Sequence, residues 1–251
     1  KKKLLTRHLA HIARLKVSIK NNYSVKHIES SQTYEWFLHK HYAKRIPNIS
    51  FSFGLYDQNN FLKGVCSYAK PMSHTLVQGA LAGKYTDTFL ELNRLVVNDN
   101  LGKNVLSFFV SQSLALLPKP QVIVSYADTS QGHHGYIYQA TNWIYTGLSA
   151  KFTDNAVKGL EHLHHSTIED SVGRYDKDAK INKTELLKEK YGDLLYKKER
   201  PRKHRYFYFL GNRKDKKNMT NSLVYKVQEY PKGNNQRYDS SYNPSIQGIL
   251  F

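Results

Sequence analysis

Residues 88–97 read TFLELNRLVV, residues 104–117 read NVLSFFVSQSLALL, and residues 122–125 read VIVS. The first stretch predicts a strand, because residues that favour β-structure dominate it. The second carries apolar residues at helical spacing and is ended by Pro118 and Pro120, so it predicts a helix. The third is a short apolar run, typical of a central parallel strand. A strand–helix–strand unit of this length implies a right-handed crossover and a sheet covered by helices.

The residues on both sides extend this pattern. They predict a helix at 33–41, a hairpin of two strands at 49–56 and 61–68, a short helix at 136–142 and a strand at 143–146. The hairpin is indicated by alternating apolar and small residues before the turn cluster at 57–60. Trp36 and Phe37 are expected to face inward from the first helix. The predicted fold class is α/β, with a mixed central sheet flanked by helices.

The carboxyl-terminal part of the chain differs in composition. Two runs of β-forming residues, at 204–210 and 222–227, follow a polar and charged stretch. We therefore predict a catalytic core over residues 1–150 and a basic extension over residues 151–251 that packs on the core and contains a β-hairpin. The tail beyond Pro231 is rich in Asn, Ser, Gln and Gly, and we expect it to be poorly ordered.

The chain of 251 residues is strongly basic, with 38 Lys+Arg against 20 Asp+Glu and a formal net charge of +18. Each phosphate that a cation neutralises releases counterions, so this charge favours nucleic acid as a partner. The alternative is a solvated basic surface without a partner. The single cysteine, Cys66, leaves no internal disulfide framework and no Cys-rich zinc site. No apolar run approaches ~20 residues, so we expect no membrane span and a reducing cytoplasm.

The densest polar segment directly follows the apolar run at 122–125. It reads YADTSQGHHG from Tyr126 to Gly135. Active sites of such sheets lie beyond the carboxyl ends of the strands. Asp128 is therefore a candidate base or orienting group, and Tyr126 and Tyr138 are candidate hydroxyl donors. The structural alternative is a polar turn in which Asp128 caps the next helix.

The strand at 88–97 carries a second candidate. Alternation predicts that Glu91 and Asn93 point to one face and that Leu92 and Arg94 point to the other. A charged residue within a sheet needs a partner, so Arg94 is a candidate clamp for a carboxylate or a phosphate. The alternative is a structural ion pair.

Residues 98–104 lead into the start of the predicted helix, where backbone N–H groups can hold an anion. Gly102 and Asn104 lie in this segment, and Ser107 follows one turn into the helix. We expect these three residues to bind an anionic part of a cofactor. Tyr42, after the first helix, is a candidate acid, positioning hydroxyl or stacking platform, with simple packing on the sheet as the alternative.

A basic segment interleaved with aromatic residues begins near Lys197. Such a pattern fits a clamp on a nucleic-acid backbone with base stacking. The predicted contacts are Arg202, Lys203, His204, Arg205 and Lys214. A charged hairpin is the alternative. The histidines at 133, 134, 162, 164 and 165 lack acidic or cysteine partners at a defined spacing, so no metal site is predicted.

Several of these segments together resemble the Mom family. They are His41-Tyr42, the strand at 91–95, Ser125-Tyr126-Ala127-Asp128 with Gln131-Gly132-His133, Tyr138-Gln139-Ala140-Thr141-Asn142-Trp143, and Lys203-His204-Arg205-Tyr206. The resemblance covers about residues 34–210, and the block at 125–147 is its specific part. Mom proteins are phage DNA-modification proteins with an N-acetyltransferase-like (GNAT) fold.

The resemblance implies an activity and a site. The expected enzyme converts the exocyclic amine of adenine in DNA to an N6-carbamoylmethyl (acetamido) group, which protects phage DNA from host restriction. It implies an acyl or acetamido donor drawn from acetyl-CoA, with iron also suggested. It further implies that Tyr42, Arg94, Ser107, Ser125, Asp128 and Tyr138 line the active site. The Gly-rich pyrophosphate loop of acetyltransferases is reduced here to Gly102.

Two other functions compete with this interpretation. One is an acetyltransferase that acts on a protein amine or on aminoacyl-tRNA. The other is a DNA-binding host-takeover protein that kept the fold and lost the chemistry. The presence of Tyr42, Asp128 and Tyr138 favours an enzyme. The sequence is compatible with a monomer or a dimer.

Overall fold

The computed structural model describes residues 19–99, 101–163, 165–173 and 182–234, together with Tyr242 and Pro244. The strands are β1 (Tyr23–His27), β2 (Phe51–Asp57), β3 (Leu62–Ala69), β4 (Phe89–Val97), β5 (Gln121–Asp128), β6 (Ile144–Leu148), β7 (Phe152–Val157), β8 (Leu195–Arg200) and β9 (Lys203–Leu210). The α-helices are α1 (His74–Gly79), α2 (Val105–Leu116), α3 (Tyr136–Ala140), α4 (His165–Asp170), α5 (Lys183–Tyr191) and α6 (Arg213–Ser222). Most of the tail beyond Pro231, and His164, lie outside the described residues.

The central sheet has seven strands in the order β1-β2-β3-β4-β5-β9-β6. The strands β1 to β4 pair antiparallel with their neighbours, whereas β4 and β5 are parallel. Helix α2 connects this parallel pair, as the spacing of the sequence predicts. The α/β class, with a mixed sheet flanked by helices, is therefore confirmed.

Helices cover both faces of the sheet because apolar residues on the central strands alternate between two cores. Leu92 of β4 belongs to the core that includes Phe109 of α2. Phe89 of β4 and Val122 of β5 belong to the opposite core, which includes Met219 of α6. A strand that is apolar on both faces must be covered on both faces, which places β4 and β5 at the centre of the fold.

Most of the predicted elements are present within a few residues. The hairpin at 49–56 and 61–68 is β2 and β3, with antiparallel pairing. The helix predicted at 33–41 is a π-helix over Trp36–Lys40, and both Trp36 and Phe37 are fully buried, as expected.

The run at 222–227 is not a strand, contrary to the prediction. The chain leaves α6 at Ser222, and the N–H of Val224 then donates to the carbonyl of Ala80. Leu223 and Tyr225 pack against the sheet face that holds Phe207. The run is apolar because it covers this face, and no neighbouring strand pairs with it among the described residues.

The chain forms two compact units. One contains the described residues up to Gly147 and from His204 onward, and the other spans Leu148–Lys203. The sequence predicted a single domain boundary at residue 150. In the structure, the chain returns to the central sheet after the second unit, because β9 is one of the strands of that sheet. The second unit pairs β7 with β8 around a small core of Val157, Ile168 and Leu187. In the part of the chain that the structure describes, no helix is long and apolar enough to cross a membrane.

Candidate active site at the ends of two parallel strands

The parallel strands β4 and β5 separate along their length. Their pairing joins Phe89 to Val122 and ends with Glu91 opposite Val124. Both strands continue, to Val97 and Asp128, without pairing to each other in the described part of the chain. We call the region between these unpaired carboxyl-terminal segments the crevice, because ligands of α/β sheets bind at this end of the strands.

Ser125 and Tyr138 meet beside this crevice. The Ser125 hydroxyl lies 2.7 Å from the carbonyl oxygen of Leu92 and 2.7 Å from the Tyr138 phenol oxygen. The two side chains are buried. Burial raises the pKa of Tyr138 to about 12, although the bond with Ser125 opposes that shift. The phenol therefore keeps its proton at neutral pH and can form hydrogen bonds through its O–H group.

Asp128 ends β5 and is also buried. One carboxylate oxygen accepts from the backbone N–H of Ser130 at 3.0 Å and from its hydroxyl at 2.6 Å. Asp128 thus caps the short 3₁₀ turn Thr129–Gln131, which is the structural role that the sequence allowed. The same carboxylate acts on His133, whose pKa is lowered by burial while the Asp128 charge opposes that shift.

Tyr42 is brought to the segment that follows β5. Its ring stacks on His41 at a centroid distance of 4.4 Å and meets the edge of His133 at 6.0 Å. Because Tyr42 and His133 are far apart in sequence, this contact joins the end of the π-helix to the loop after Asp128. A phenol and an imidazole consequently lie on one side of the crevice.

Arg94 lies on the opposite face from the one that strand alternation predicted. Ser67 pairs with Arg94 and Tyr68 pairs with Leu92, so Asn93 is an extra residue in β4. Directly paired residues share a face, and Ser67 and Tyr68 point to opposite faces. The bulge therefore turns Arg94 away from Leu92 and onto the face of Glu91, a local redirection typical of bulges next to active sites.

The bulge also fixes the surroundings of Arg94. Its guanidinium donates to the carbonyl of Asn93 at 2.7 Å, and its Nε is buried without a hydrogen-bond partner among the described residues. Burial lowers the pKa of Arg94, while Tyr42 and Glu91 oppose that shift. The cation is thus held close to Tyr42 and suits an anionic or carbonyl oxygen of a ligand.

The start of α2 is organised by local contacts. Asn104 precedes the helix with a φ of 65°, in the left-handed region. The Ser107 hydroxyl donates to the carbonyl of Asn104 at 2.9 Å, so it is engaged within the first turn. Gly102 and Asn104 are exposed, which leaves the backbone of this turn accessible to an anion.

The basic residues predicted to contact nucleic acid separate into two groups. His204 and Arg205 are buried, because β9 lies inside the central sheet. The Arg205 guanidinium donates to Thr146 and lies 3.5 Å from the centre of the Tyr225 ring. Lys214 is exposed on α6. The buried residues His204 and Arg205 therefore belong to the packing of the sheet and do not form an exposed basic surface.

Arg202 and Lys203 are partly exposed. The Arg202 guanidinium donates to the carbonyl of Ser149 at 2.6 Å, so this cation is anchored to its own unit. Among the described residues, no three side chains of His, Cys, Asp or Glu come together in a way that could hold a metal ion.

Gln139 organises the loop after β5, and the sequence reasoning missed it. Its amide donates to the carbonyl of His134 at 3.1 Å and to the Tyr206 phenol at 3.3 Å. Gly135 has a φ of +77°, and an added Cβ would lie 2.5 Å from the ring of Tyr206. Only glycine fits that position. A glycine directly after two histidines is the signal in the sequence that could have indicated a constrained loop.

Known proteins resemble this chain at the level of sequence and structure. The family model described as the Mom protein family matches residues 22–232. The methylcarbamoylase mom of Escherichia phage Mu is 26% identical over 203 residues, which cover 77% of this chain and 77% of that protein.

Solved structures match more distantly. The structure of yncA from Salmonella typhimurium with acetyl-CoA has a TM-score of 0.40 and 10% identity, covering 76% of this chain and 95% of that one. The spermidine/spermine N-acetyltransferase SpeG from Vibrio cholerae has a TM-score of 0.40 and 8% identity, covering 76% of this chain and 94% of that one.

Proposed function

The chain belongs to the Mom protein family, and on that premise we propose that it is a phage DNA-modification transferase that converts adenine in DNA to N6-carbamoylmethyladenine. The modification would protect phage DNA from restriction in the host cytoplasm. The observation that carries this proposal is the meeting of Tyr42, Arg94, Asp128 and His133 around the crevice between β4 and β5. The relative from phage Mu supports it, because that protein is named a methylcarbamoylase.

The reaction makes three demands that these residues fit. The lone pair of adenine N6 is delocalised into the ring, so the amine must be positioned and deprotonated, and developing charge must be stabilised. Asp128 is our candidate for holding N6 and taking its proton. Tyr138 keeps its proton and is our candidate for donating a hydrogen bond to the leaving group or to the charge that develops in the transition state. The Arg94 guanidinium is our candidate for binding an oxygen atom of the molecule that donates the carbamoylmethyl group.

The product constrains the donor. In the proposed step a bond forms between N6 and the methylene carbon of the carbamoylmethyl group, the bond from that carbon to its leaving group breaks, and an N6 proton leaves to the base. Simple transfer from acetyl-CoA would instead give N6–CO–CH₃, which lacks one nitrogen and one hydrogen. The donor must therefore deliver a complete acetamido group that carries a leaving group on its methylene carbon. If acetyl-CoA supplies the two carbons, a nitrogen source and a two-electron oxidant must also take part.

Acetyl-CoA fits the chain only in part. The exposed backbone turn at Gly102, Asn104 and Ser107 would hold its pyrophosphate, as helix starts hold anions generally. The group would supply two carbon atoms, and its thioester would activate the carbonyl carbon towards the nitrogen source. Gly102 is the sole glycine of this turn, so the binding is proposed from the exposed helix start and from family membership.

Mass spectrometry of nucleosides from plasmid DNA of bacteria that express the chain tests the proposal. We expect a deoxyadenosine that carries one carbamoylmethyl group. An acetylated deoxyadenosine would support the assignment as a transferase, but it would show that the product is not N6-carbamoylmethyladenine. Unmodified DNA, from protein that is folded and binds DNA, would overturn the proposal and favour a binding protein without chemistry.

A further inference from the structure

Met72 is the most exposed large hydrophobic residue in the described part of the chain, with 83% of its surface accessible. It lies in the loop of residues 70–73, between β3 and α1. A single exposed apolar side chain is ordinary on a protein surface. The setting of Met72 distinguishes it, because both of its neighbours are anchored and its side chain contacts Asn48, which bonds to the bulge of β4.

The loop holds Met72 in a fixed direction. Pro71, on one side, is buried. Ser73, on the other side, caps α1, and its hydroxyl accepts from the N–H of Leu76 at 3.2 Å. Because the backbone is anchored on both sides of Met72, little backbone entropy remains to be lost when this residue inserts.

Two contacts connect Met72 to the bulge that positions Arg94. The Met72 sulfur lies 3.5 Å from the amide nitrogen of Asn48. The carbonyl of Asn48 accepts from the side chain of Asn93, the extra residue of the bulge, at 2.9 Å. Only Asn48 therefore lies between Met72 and the bulge of the strand that carries Arg94.

The surface around Met72 carries exposed basic residues that can bind a polyanion. Lys70 is exposed on the same loop, His74 is exposed at the start of α1, and Lys44 is exposed on the loop that contains Asn48. Ile46, on that second loop, is a further exposed apolar residue, at 40%. Neither loop, taken as residues 43–50 and 70–73, contains Asp or Glu. The surface thus combines an apolar tip with cations that can contact phosphates.

We propose that Met72 is a wedge that enters the base stack of duplex DNA and holds the target adenine outside the helix. The inference rests on the proposed function. Asp128 and Tyr138 are buried, so a stacked base cannot reach them, and enzymes with such pockets extrude the nucleotide. Apolar side chains, Met among them, unstack base steps in this way.

A fluorescent base tests the wedge without any donor. A set of duplex oligonucleotides carries 2-aminopurine in place of one adenine each, in different sequence contexts, and its fluorescence rises when the base leaves the stack. Wild-type protein should raise the fluorescence, and Met72→Ala should lose most of the rise. Met72→Leu should restore it. Leu116→Ala is the matched control, because Leu116 is also exposed, at 53%, on α2.

A second duplex distinguishes a loss of base unstacking from a loss of DNA binding. An abasic site opposite the 2-aminopurine removes the pairing cost, so Met72→Ala should again produce the rise on that duplex. In cells, the yield of modified adenine should fall about tenfold or more for Met72→Ala, since unstacking costs a few kcal/mol per step.

The outcomes distinguish the wedge from the proposed function. A fluorescence rise from Met72→Ala equal to that of wild type on the intact duplex would overturn the wedge. No rise from wild-type protein that does modify DNA would also overturn it. If cells that express the wild-type protein contain no modified adenine, the proposed function fails. The fluorescence result still decides whether Met72 opens the duplex.

Discussion

The side-chain oxygens of Ser125 and Tyr138 lie 2.7 Å apart between the end of β5 and α3, and both residues are buried. The pair joins the strand that ends at Asp128 to the helix that follows the site loop. Any motion of Tyr138 relative to the strand therefore breaks a buried hydrogen bond, which makes the pair a fixed wall of the crevice.

Removing the Tyr138 hydroxyl should reduce modification more than stability. We expect Tyr138→Phe to lower the free energy of unfolding by about 1 kcal/mol and the modification yield by roughly 100-fold. Tyr68→Phe is the matched control, because Tyr68 and Ser113 form a buried hydroxyl pair at the same 2.7 Å. Urea unfolding and nucleoside mass spectrometry measure the two effects. Equal losses of yield in both variants would contradict a role in the reaction.

Asp128→Asn should abolish the product and leave DNA binding intact. Asparagine keeps an oxygen that can accept from Ser130, so the turn survives while the negative charge is lost. We expect a loss of roughly 10²–10⁴ in rate, with unchanged affinity in a DNA-binding assay. Ser130→Ala is the control, since it removes the 2.6 Å hydroxyl bond and keeps the carboxylate. An active Asp128→Asn variant would show that the residue only caps the turn.

The central elements could be predicted because their signals are local. The apolar spacing of α2 and the short apolar run of β5 lie within a few residues of each other, so periodicity identifies them. The site loop after β5 could be predicted for the same reason, since a dense polar segment directly follows a buried strand.

The remainder depends on pairing between distant parts of the chain. The insertion of β9 between β5 and β6 joins residues separated by a whole second unit, and no local pattern encodes it. The sequence therefore placed His204 and Arg205 on a basic surface, although both are buried. The direction of Arg94 was missed because a bulge is defined only against the partner strand.

Deleting Asn93 should preserve the fold and remove the activity. The deletion leaves Ser67 opposite Arg94 and Tyr68 opposite Leu92, so the register on both sides is kept. The local bend is lost, and with it the position of the Arg94 guanidinium. We expect cooperative thermal unfolding and no modified adenine. Asn93→Ala keeps the extra residue and should retain measurable activity. A fully active deletion variant would mean that the bulge does not position Arg94.

Exposed and buried basic residues should differ in the salt dependence of DNA binding. Lys214→Ala removes an exposed cation from α6, so the slope of log affinity against log salt should fall by about one unit if it contacts a phosphate. Arg205→Lys should leave the slope unchanged and lower the free energy of unfolding, because Arg205 packs on Tyr225 and donates to Thr146. A reduced slope for Arg205→Lys would show that this residue reaches DNA after all.

Acidification should destabilise the fold through His204. Burial lowers the pKa of His204, and the neighbouring His134 lowers it further. In the unfolded chain the histidine has its ordinary pKa, about 6.5, so the unfolded state binds more protons in the window below that value. The contribution of the neutral ring is therefore fully present above pH 6.5, and it is lost as the pH falls through the lower pKa of the folded state.

His204→Asn tests this relation, because asparagine can accept the hydrogen bond that joins His204 to the Tyr145 phenol at 2.7 Å. The variant cannot take up a proton, so its free energy of unfolding should decline less than that of wild type between pH 7 and pH 5, values that bracket the ordinary histidine pKa of about 6.5. Urea unfolding at several pH values gives both slopes. Part of the decline should remain, since burial also lowers the pKa of His133. A variant as sensitive to acid as wild type would place the titrating group elsewhere in the fold.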